Sequence, residues 1–239
     1  MVSQESVAEP RRVAVSRRGI LIGIRRLLPI CVFVVPFGIA FGVAAVAGGL
    51  GPLQATGMSL FVFTATAQFA ALEFLRDPVA FVSLGLVALS LSARHIIMGA
   101  ALSAWVNQLP LGRRLAILFF LSDANFADTQ GSMREGSPDL GPLLGGGLAL
   151  WATWAASTAA GAFGGRIFGD TEAYGFGSLM LCFFAATALG MVRGSHGLIW
   201  PVVAASAVAI MTLPLLPTGW NILLAAVLGG LISVATHAE

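Results

Sequence analysis

Long runs without any charged residue constrain this chain more than any other feature of its sequence. No Asp, Glu, Lys or Arg occurs in four runs, 27–72, 140–165, 173–192 and 194–238. A helix that crosses a bilayer needs about 20 apolar residues, so the two longest runs are each long enough for two crossings. The runs therefore predict an all-α polytopic membrane protein.

The overall composition excludes several classes of protein. Hydrophobic residues make up 57% of the chain and charged residues 10%, whereas about a quarter of the residues of a soluble domain are charged. This excludes a soluble globular enzyme, a disordered tail and a nucleic-acid-binding protein. All 13 basic residues are Arg, so there is no lysine for an ATP-binding P-loop or for a Schiff base. The sequence predicts no cofactor, no metal site and no catalytic residue.

We predict seven to eight transmembrane segments in one membrane domain, 27–236. The predicted segments are 27–49, 53–74, 78–106, 114–127, 140–165, 173–192, 198–213 and 219–236. Six of the 13 arginines lie in residues 1–26. Because positive charge is retained on the cytoplasmic side of a membrane, residues 1–26 are expected to form a basic cytoplasmic tail.

Shifting the chain by 119 residues aligns similar features of two halves, 27–127 and 140–236. Gly38 and Gly42 in the first segment then align with Ser157 and Gly161 in the fifth. Many transporters consist of two such halves, often inverted relative to each other in the membrane. Small residues four positions apart also let any two membrane helices approach closely, so composition is the competing explanation.

The segment 78–106 leaves two arrangements open. As one helix it is long but can span when tilted, and the loop with Arg113 and Arg114 then lies outside. If the chain instead turns back near Arg94 and His95, both loop arginines return to the cytoplasm and the halves are inverted. Counting positive charges slightly favours this second arrangement.

Polar residues within apolar segments are the candidate functional residues, because a charge at the bilayer centre costs about 2.5–3.5 kcal/mol. They are Gln68, Arg94, His95, Asp123 and Asn125. A structural interpretation stands beside each functional one. Gln68 can hydrogen-bond a neighbouring helix, Asp123 can be the frayed end of a short helix, and Arg94 with Asp123 can form a structural ion pair.

The functional interpretation follows from charge complementarity with an amino acid. Arg94 offers a planar fork for a carboxylate. Asp123 offers a countercharge for an ammonium group or a site that carries a proton. His95 is a candidate proton relay, although a hydrogen-bonded structural histidine is the commoner case on an apolar helix. Apolar neighbours would accommodate an aliphatic side chain.

Five short motifs occur in one order along the first half of the chain. They are PFGIAFG at 36–42, AQFA at 67–70, ARHIIMGAALS at 93–103, LP at 109–110 and FFLSD at 119–123. In these motifs the chain resembles the AzlC family of branched-chain amino-acid exporters. The family commonly has Asp-Glu where this chain has Asp123-Ala124.

The resemblance implies a secondary transporter in the bacterial inner membrane. It implies export of valine, leucine or isoleucine, with methionine as a further substrate, and a separately encoded small membrane subunit of the AzlD type. Three other classes of function remain open, one of which is a structural or assembly subunit that is inert without its partner. A channel gated by an Arg–Asp pair would have a similar sequence, and an intramembrane hydrolase is less well supported because no Gly-x-Ser-x-Gly motif is present.

Overall fold

A computed structural model describes residues 13–74, 81–134, 139–168, 185, 189, 193, 199–216 and 220–237. The helices in these ranges are α1 (Arg17–Ala47), α2 (Pro52–Phe61), α3 (Ala65–Phe74), α4 (Phe81–Val106), α5 (Leu111–Phe119), α6 (Asp123–Arg134), α7 (Gly141–Phe168), α8 (Ile199–Thr212) and α9 (Trp220–His237). No strand occurs among the described residues. The chain is an all-α membrane protein, as its charge-free runs predict.

Most predicted segments match single helices, but two of them are divided. The segment 53–74 contains α2 and α3, which are separated by residues 62–64, and the segment 114–127 contains parts of α5 and α6, separated by residues 120–122. Helix α1 begins at Arg17, so it includes the last ten residues of the predicted tail. Of the segment 173–192, only Ala185 and Leu189 are described, and both are helical.

Helix α4 is continuous through Arg94 and His95. Its 26 residues correspond to about 39 Å at the rise of an α-helix. The chain therefore does not turn back at Arg94 and His95, and the first of the two arrangements describes this segment correctly.

Helix α1 has the length and hydropathy of a membrane span. Among the described residues it is the one helix that meets both criteria, and Leu91–Val106 and Ile199–Thr212 are shorter apolar helices. On α1, Val32 and Phe33 expose 72% and 73% of their surface, as expected of side chains that face lipid. The number of spans stays a prediction.

The chain divides into two compact units. Unit 1 contains the described residues of 1–32 and 95–152, and unit 2 contains those of 33–94 and 153–239. Each unit therefore combines segments from both predicted halves, 27–127 and 140–236. The division into those halves stays a prediction.

In unit 2, α1 and α7 approach each other through small residues. A Cβ atom at Gly38 would overlap Ser157 Oγ, and one at Gly42 would overlap the carbonyl oxygen of Thr158 and crowd Gly161. The residues aligned by the 119-residue shift thus contact each other. They contact in the same order along both helices, so α1 and α7 run parallel here. A repeat of the two halves, inverted or not, stays a prediction.

In unit 1, α5 and α6 form a helical hairpin beside α4. Leu118 of α5 lies next to Gly99 of α4, so α5 runs back along α4 after the connection at 107–110. Met133 of α6 nevertheless lies with Trp105, near the end of α4. Since Met133 would lie about 22 Å beyond Leu118 in a continuous helix, the chain must reverse direction at residues 120–122.

The connection between α4 and α5 shares a buried cluster with residues that precede α1. Leu109, which precedes α5, belongs to a buried cluster with Leu140, and Val13 and Val15 pack against that cluster. Arg113 lies in the first turn of α5. The side of the membrane on which the loop with Arg113 and Arg114 lies stays a prediction.

Candidate functional site

Gln68 is the centre of a buried hydrogen-bond network in unit 2. It is completely buried, and its Oε1 accepts a hydrogen bond from Trp154 Nε1 at 2.7 Å. Its Nε2 donates to Ser59 Oγ at 3.0 Å, and Ser59 Oγ donates to Thr158 Oγ1 at 2.9 Å. The network joins α2, α3 and α7. The structural interpretation of Gln68, as a hydrogen-bonding link between helices, describes its contacts in this conformation.

The network holds α2 and α3 at the point where the backbone is not helical. Ser59 and Gln68 would lie about 13.5 Å apart along a continuous helix, yet their side chains are in hydrogen-bond contact. Helix α2 ends where Val62 N–H donates to Met58 O, and Thr64 N–H then donates to Val62 O. Gln68 N–H donates to Thr64 O, which starts α3. The chain thus bends sharply at residues 62–64.

Phe41 of α1 packs against two aromatic side chains at this network. The Phe41 ring lies 5.3 Å from that of Phe69 in an edge-to-face arrangement and 6.0 Å from that of Trp154 in a stacked one. Phe41 is completely buried. Because the network is enclosed by apolar rings, its hydrogen bonds are shielded from water and are correspondingly strong.

Arg94 lies beside the first turn of α3. Its Nη2 donates to Thr66 Oγ1 at 3.2 Å, and the residue is half-buried. The first amide groups of a helix have no acceptor within the helix and carry partial positive charge. The guanidinium group therefore lies beside the start of α3 in unit 2.

Asn125 fixes the tip of the α5–α6 hairpin in unit 1. Its Oδ1 accepts hydrogen bonds from Ser122 N–H at 2.7 Å and from Ser122 Oγ at 3.1 Å. Its Nδ2 donates to the carbonyl oxygens of Phe120 at 2.8 Å and Leu143 at 2.9 Å. An amide side chain offers two donors and two acceptor lone pairs, so this conformation uses all four. Asn125 is 1% exposed and here acts as a link between α6 and α7.

Asp123 and His95 also belong to unit 1. Asp123 is the first residue of α6 and is exposed, whereas His95 is half-buried on α4. An aspartate in the first turn is favoured there by the positive end of the helix dipole. Arg94 belongs to unit 2 and Asp123 to unit 1. An Arg94–Asp123 ion pair, a shared site and the translocation role of all five candidates stay predictions.

The sequence did not single out the hydroxyl groups that hold these candidates in place. Thr66, Ser59 and Thr158 are each a partner of Arg94 or of the Gln68 network. Hydroxyl residues are common in membrane helices, and nothing in their spacing distinguishes these three. Trp154, by contrast, lies inside an apolar run rather than near its end, a position that indicates a buried partner for the indole N–H. In the part of the chain that the structure describes, no three His, Cys, Asp or Glu side chains are grouped as a metal site would require.

Comparisons with known proteins place the chain in a family. The family model described as "AzlC protein" matches residues 29–168, from within α1 to the end of α7. The inner membrane protein YgaZ of Escherichia coli (strain K12) is 26% identical over 148 residues, and this match covers 60% of each chain. No solved structure matches the chain. The chain belongs to the AzlC family, a family of membrane transport proteins.

Proposed function

We propose that this chain is a secondary transporter that exports valine, leucine or isoleucine, with methionine as a further substrate. It would act in the bacterial inner membrane together with a small membrane subunit of the AzlD type. The family membership supports a role in transport, and the similarity to an inner membrane protein supports the location. The substrate class and the partner rest on the resemblance of the motifs.

The interruption of an apolar segment beside Arg94 carries the proposal. Transporters commonly bind substrate where a membrane helix is discontinuous and the start of a half-helix faces an anionic group. Residues 62–64 provide such an interruption, and the Arg94–Thr66 hydrogen bond places a guanidinium at the start of α3. A guanidinium presents its N–H donors in a planar fork, a geometry that matches a carboxylate. Arg94 would recognise the carboxylate of the amino acid.

Efflux from loaded cells tests this proposal. Cells that lack their own branched-chain exporters are loaded with leucine-containing dipeptides, and intracellular leucine is followed with and without this chain and the small subunit. Arg94→Ala should lower efflux about 10- to 100-fold, because a hydrogen bond to a charged group is worth about 1.5–3 kcal/mol. Arg94→Lys should be intermediate, since it keeps the charge but loses the fork.

Arg113→Ala is the matched control, because Arg113 is exposed on α5. It should leave efflux unchanged at equal membrane abundance. Wild-type efflux from a well-inserted Arg94→Ala variant would remove Arg94 from the substrate site.

Counterflow in vesicles separates a transporter from the channel alternative. A transporter preloaded with unlabelled leucine accumulates labelled leucine transiently and saturates, whereas a channel does neither. Recovery of a chemically altered substrate would instead favour the intramembrane enzyme. Absence of leucine movement with both subunits present would refute the proposed function.

A further inference from the structure

The exposed face of α1 changes from basic to apolar along the helix. Arg18, Leu21, Arg25, Leu28 and Val32 follow one another at spacings of three, four, three and four residues, which places them on one face. All five side chains are exposed, and Leu28 and Val32 expose 51% and 72% of their surface. We call these five residues the α1 stripe. It carries positive charge towards the start of the helix and only aliphatic side chains further along.

The uncharged part of α1 has the length of the hydrocarbon layer of a bilayer. Residues 27–47 carry no charge, and they correspond to about 32 Å at the rise of an α-helix, compared with about 30 Å for the hydrocarbon layer. Arg25 lies just before this part, a position that corresponds to the depth of the lipid phosphates. Arg18 lies about 10 Å further out, which is about one Debye length in 0.1 M salt. Arg18 should therefore contribute less than Arg25.

Ion pairing does not neutralise the arginines of the α1 stripe among the described residues. Arg26, which lies beside the stripe, pairs with Asp128 of α6, with 3.7 Å between Nη1 and Oδ2. In the same described part of the chain, no ion pair joins a carboxylate to Arg18 or Arg25. The planar fork of a guanidinium matches the oxygens of a phosphate in a bidentate geometry. The basic part of the stripe is therefore suited to a phosphate group.

We propose that the α1 stripe binds an anionic phospholipid. Arg25 contacts the phosphate of the headgroup, Arg18 adds attraction at longer range, and Leu28 and Val32 pack against the acyl chains. A phospholipid presents a phosphate and then hydrocarbon in this order, whereas a free phosphate or an acidic peptide would leave Leu28 and Val32 without a partner. The stripe does not include Arg94, so it is separate from the proposed recognition of the substrate carboxylate.

Titration of the full chain with lipid in a neutral detergent tests this proposal. Dioleoylphosphatidylglycerol should raise Tm, because a ligand that binds only the folded state stabilises it. Dioleoylphosphatidylcholine lacks the net charge, and glycerol 3-phosphate and poly-glutamate lack acyl chains, so these three should raise Tm little. Arg25→Gln should raise the apparent Kd for phosphatidylglycerol about fivefold, the factor that one arginine contributes near an anionic membrane surface. Arg18→Gln combined with Arg25→Gln should raise it roughly tenfold or more.

Arg113→Gln combined with Arg114→Gln is the matched control, because it removes the same charge from α5, outside the α1 stripe. It should keep nearly the wild-type apparent Kd. An equal loss of affinity in the two double variants would show a response to net charge alone and would overturn the proposal. Equal stabilisation by phosphatidylcholine, glycerol 3-phosphate or poly-glutamate would also overturn it.

Salt provides a second measurement on the wild-type chain, which does not depend on the folding of any variant. Raising NaCl from about 0.1 M to about 1 M shortens the Debye length from about 10 Å to about 3 Å. The apparent Kd for phosphatidylglycerol should then rise several-fold, because the contact at Arg25 is exposed to solvent ions. An apparent Kd that does not change with salt would contradict binding through these arginines.

Discussion

Replacing Asn125 tests how the hairpin tip is held. Asn125→Ala removes four hydrogen bonds and leaves the amide of Ser122 and the carbonyl oxygens of Phe120 and Leu143 without these partners. A hydrogen bond contributes about 0.5–1.5 kcal/mol in soluble proteins and about 0.6 kcal/mol on average between membrane helices. We therefore expect a loss of about 2–4 kcal/mol in the free energy of unfolding.

Asn125→Asp distinguishes the hydrogen bonds that Asn125 accepts from those that it donates. Aspartate preserves the shape and can still accept from Ser122, but it places a carboxylate oxygen against the carbonyl oxygens of Phe120 and Leu143, where Nδ2 now donates. It should therefore destabilise the protein at least as much as alanine does. A loss of this size should lower Tm by about 5–15 °C for a chain of this length.

Thermal unfolding in detergent, followed by the fraction of monodisperse protein, measures both variants. Asn107→Asp is the matched control, because Asn107 is exposed just after α4 and should shift Tm by no more than a degree or two. If Asn125→Asp and Asn107→Asp unfold at the same temperature, the amide does not fix the hairpin tip.

Two further predictions concern unit 2. Gly42→Ala should destabilise the protein by about 1–3 kcal/mol, because its Cβ would overlap the Thr158 backbone. Gly57→Ala is the control and should stabilise the protein by about 0.5–1 kcal/mol, because its Cβ meets nothing within 4 Å. Equal Tm values for the two variants would contradict the close approach of α1 and α7. Thr66→Val should raise the KM for leucine several-fold, because it removes the hydroxyl that holds Arg94, while kcat changes little. Thr66→Ser should restore the wild-type KM. If Thr66→Val lowers only the amount of protein in the membrane, the hydroxyl serves folding instead.

The sequence predicted the helical membrane class and several long helices because hydropathy adds up locally along a chain. Helix α7 was predicted at 140–165 and spans 141–168, and the last two segments, predicted at 198–213 and 219–236, are 199–212 and 220–237. Such helices need only enough consecutive apolar residues to bury their backbone hydrogen bonds in lipid. No tertiary contact has to be known to find them.

The two interruptions were missed for different reasons. Residues Val62, Phe63 and Thr64 include neither proline nor glycine, so their local sequence does not predict an end to the helix. The second interruption did have a signal. Ser122 and Asn125 are three residues apart, and the Asn125 side chain accepts from the Ser122 amide, which is the reciprocal half of a capping box. Asn at the third position replaces the more usual Glu or Gln, so the sequence pattern is harder to recognise.

Polar residues inside apolar segments therefore have two distinct uses in this chain. Lipid offers no hydrogen-bond partners, so the backbone groups exposed by an interrupted helix must be satisfied by nearby side chains. Asn125 does this directly at one interruption, and Gln68 ties the two sides of the other together. Both amides are almost completely buried, which leaves substrate no access to them in this conformation. Arg94 and Asp123 are not completely buried, so recognition of a charged solute is better sought in these two residues than in the amides.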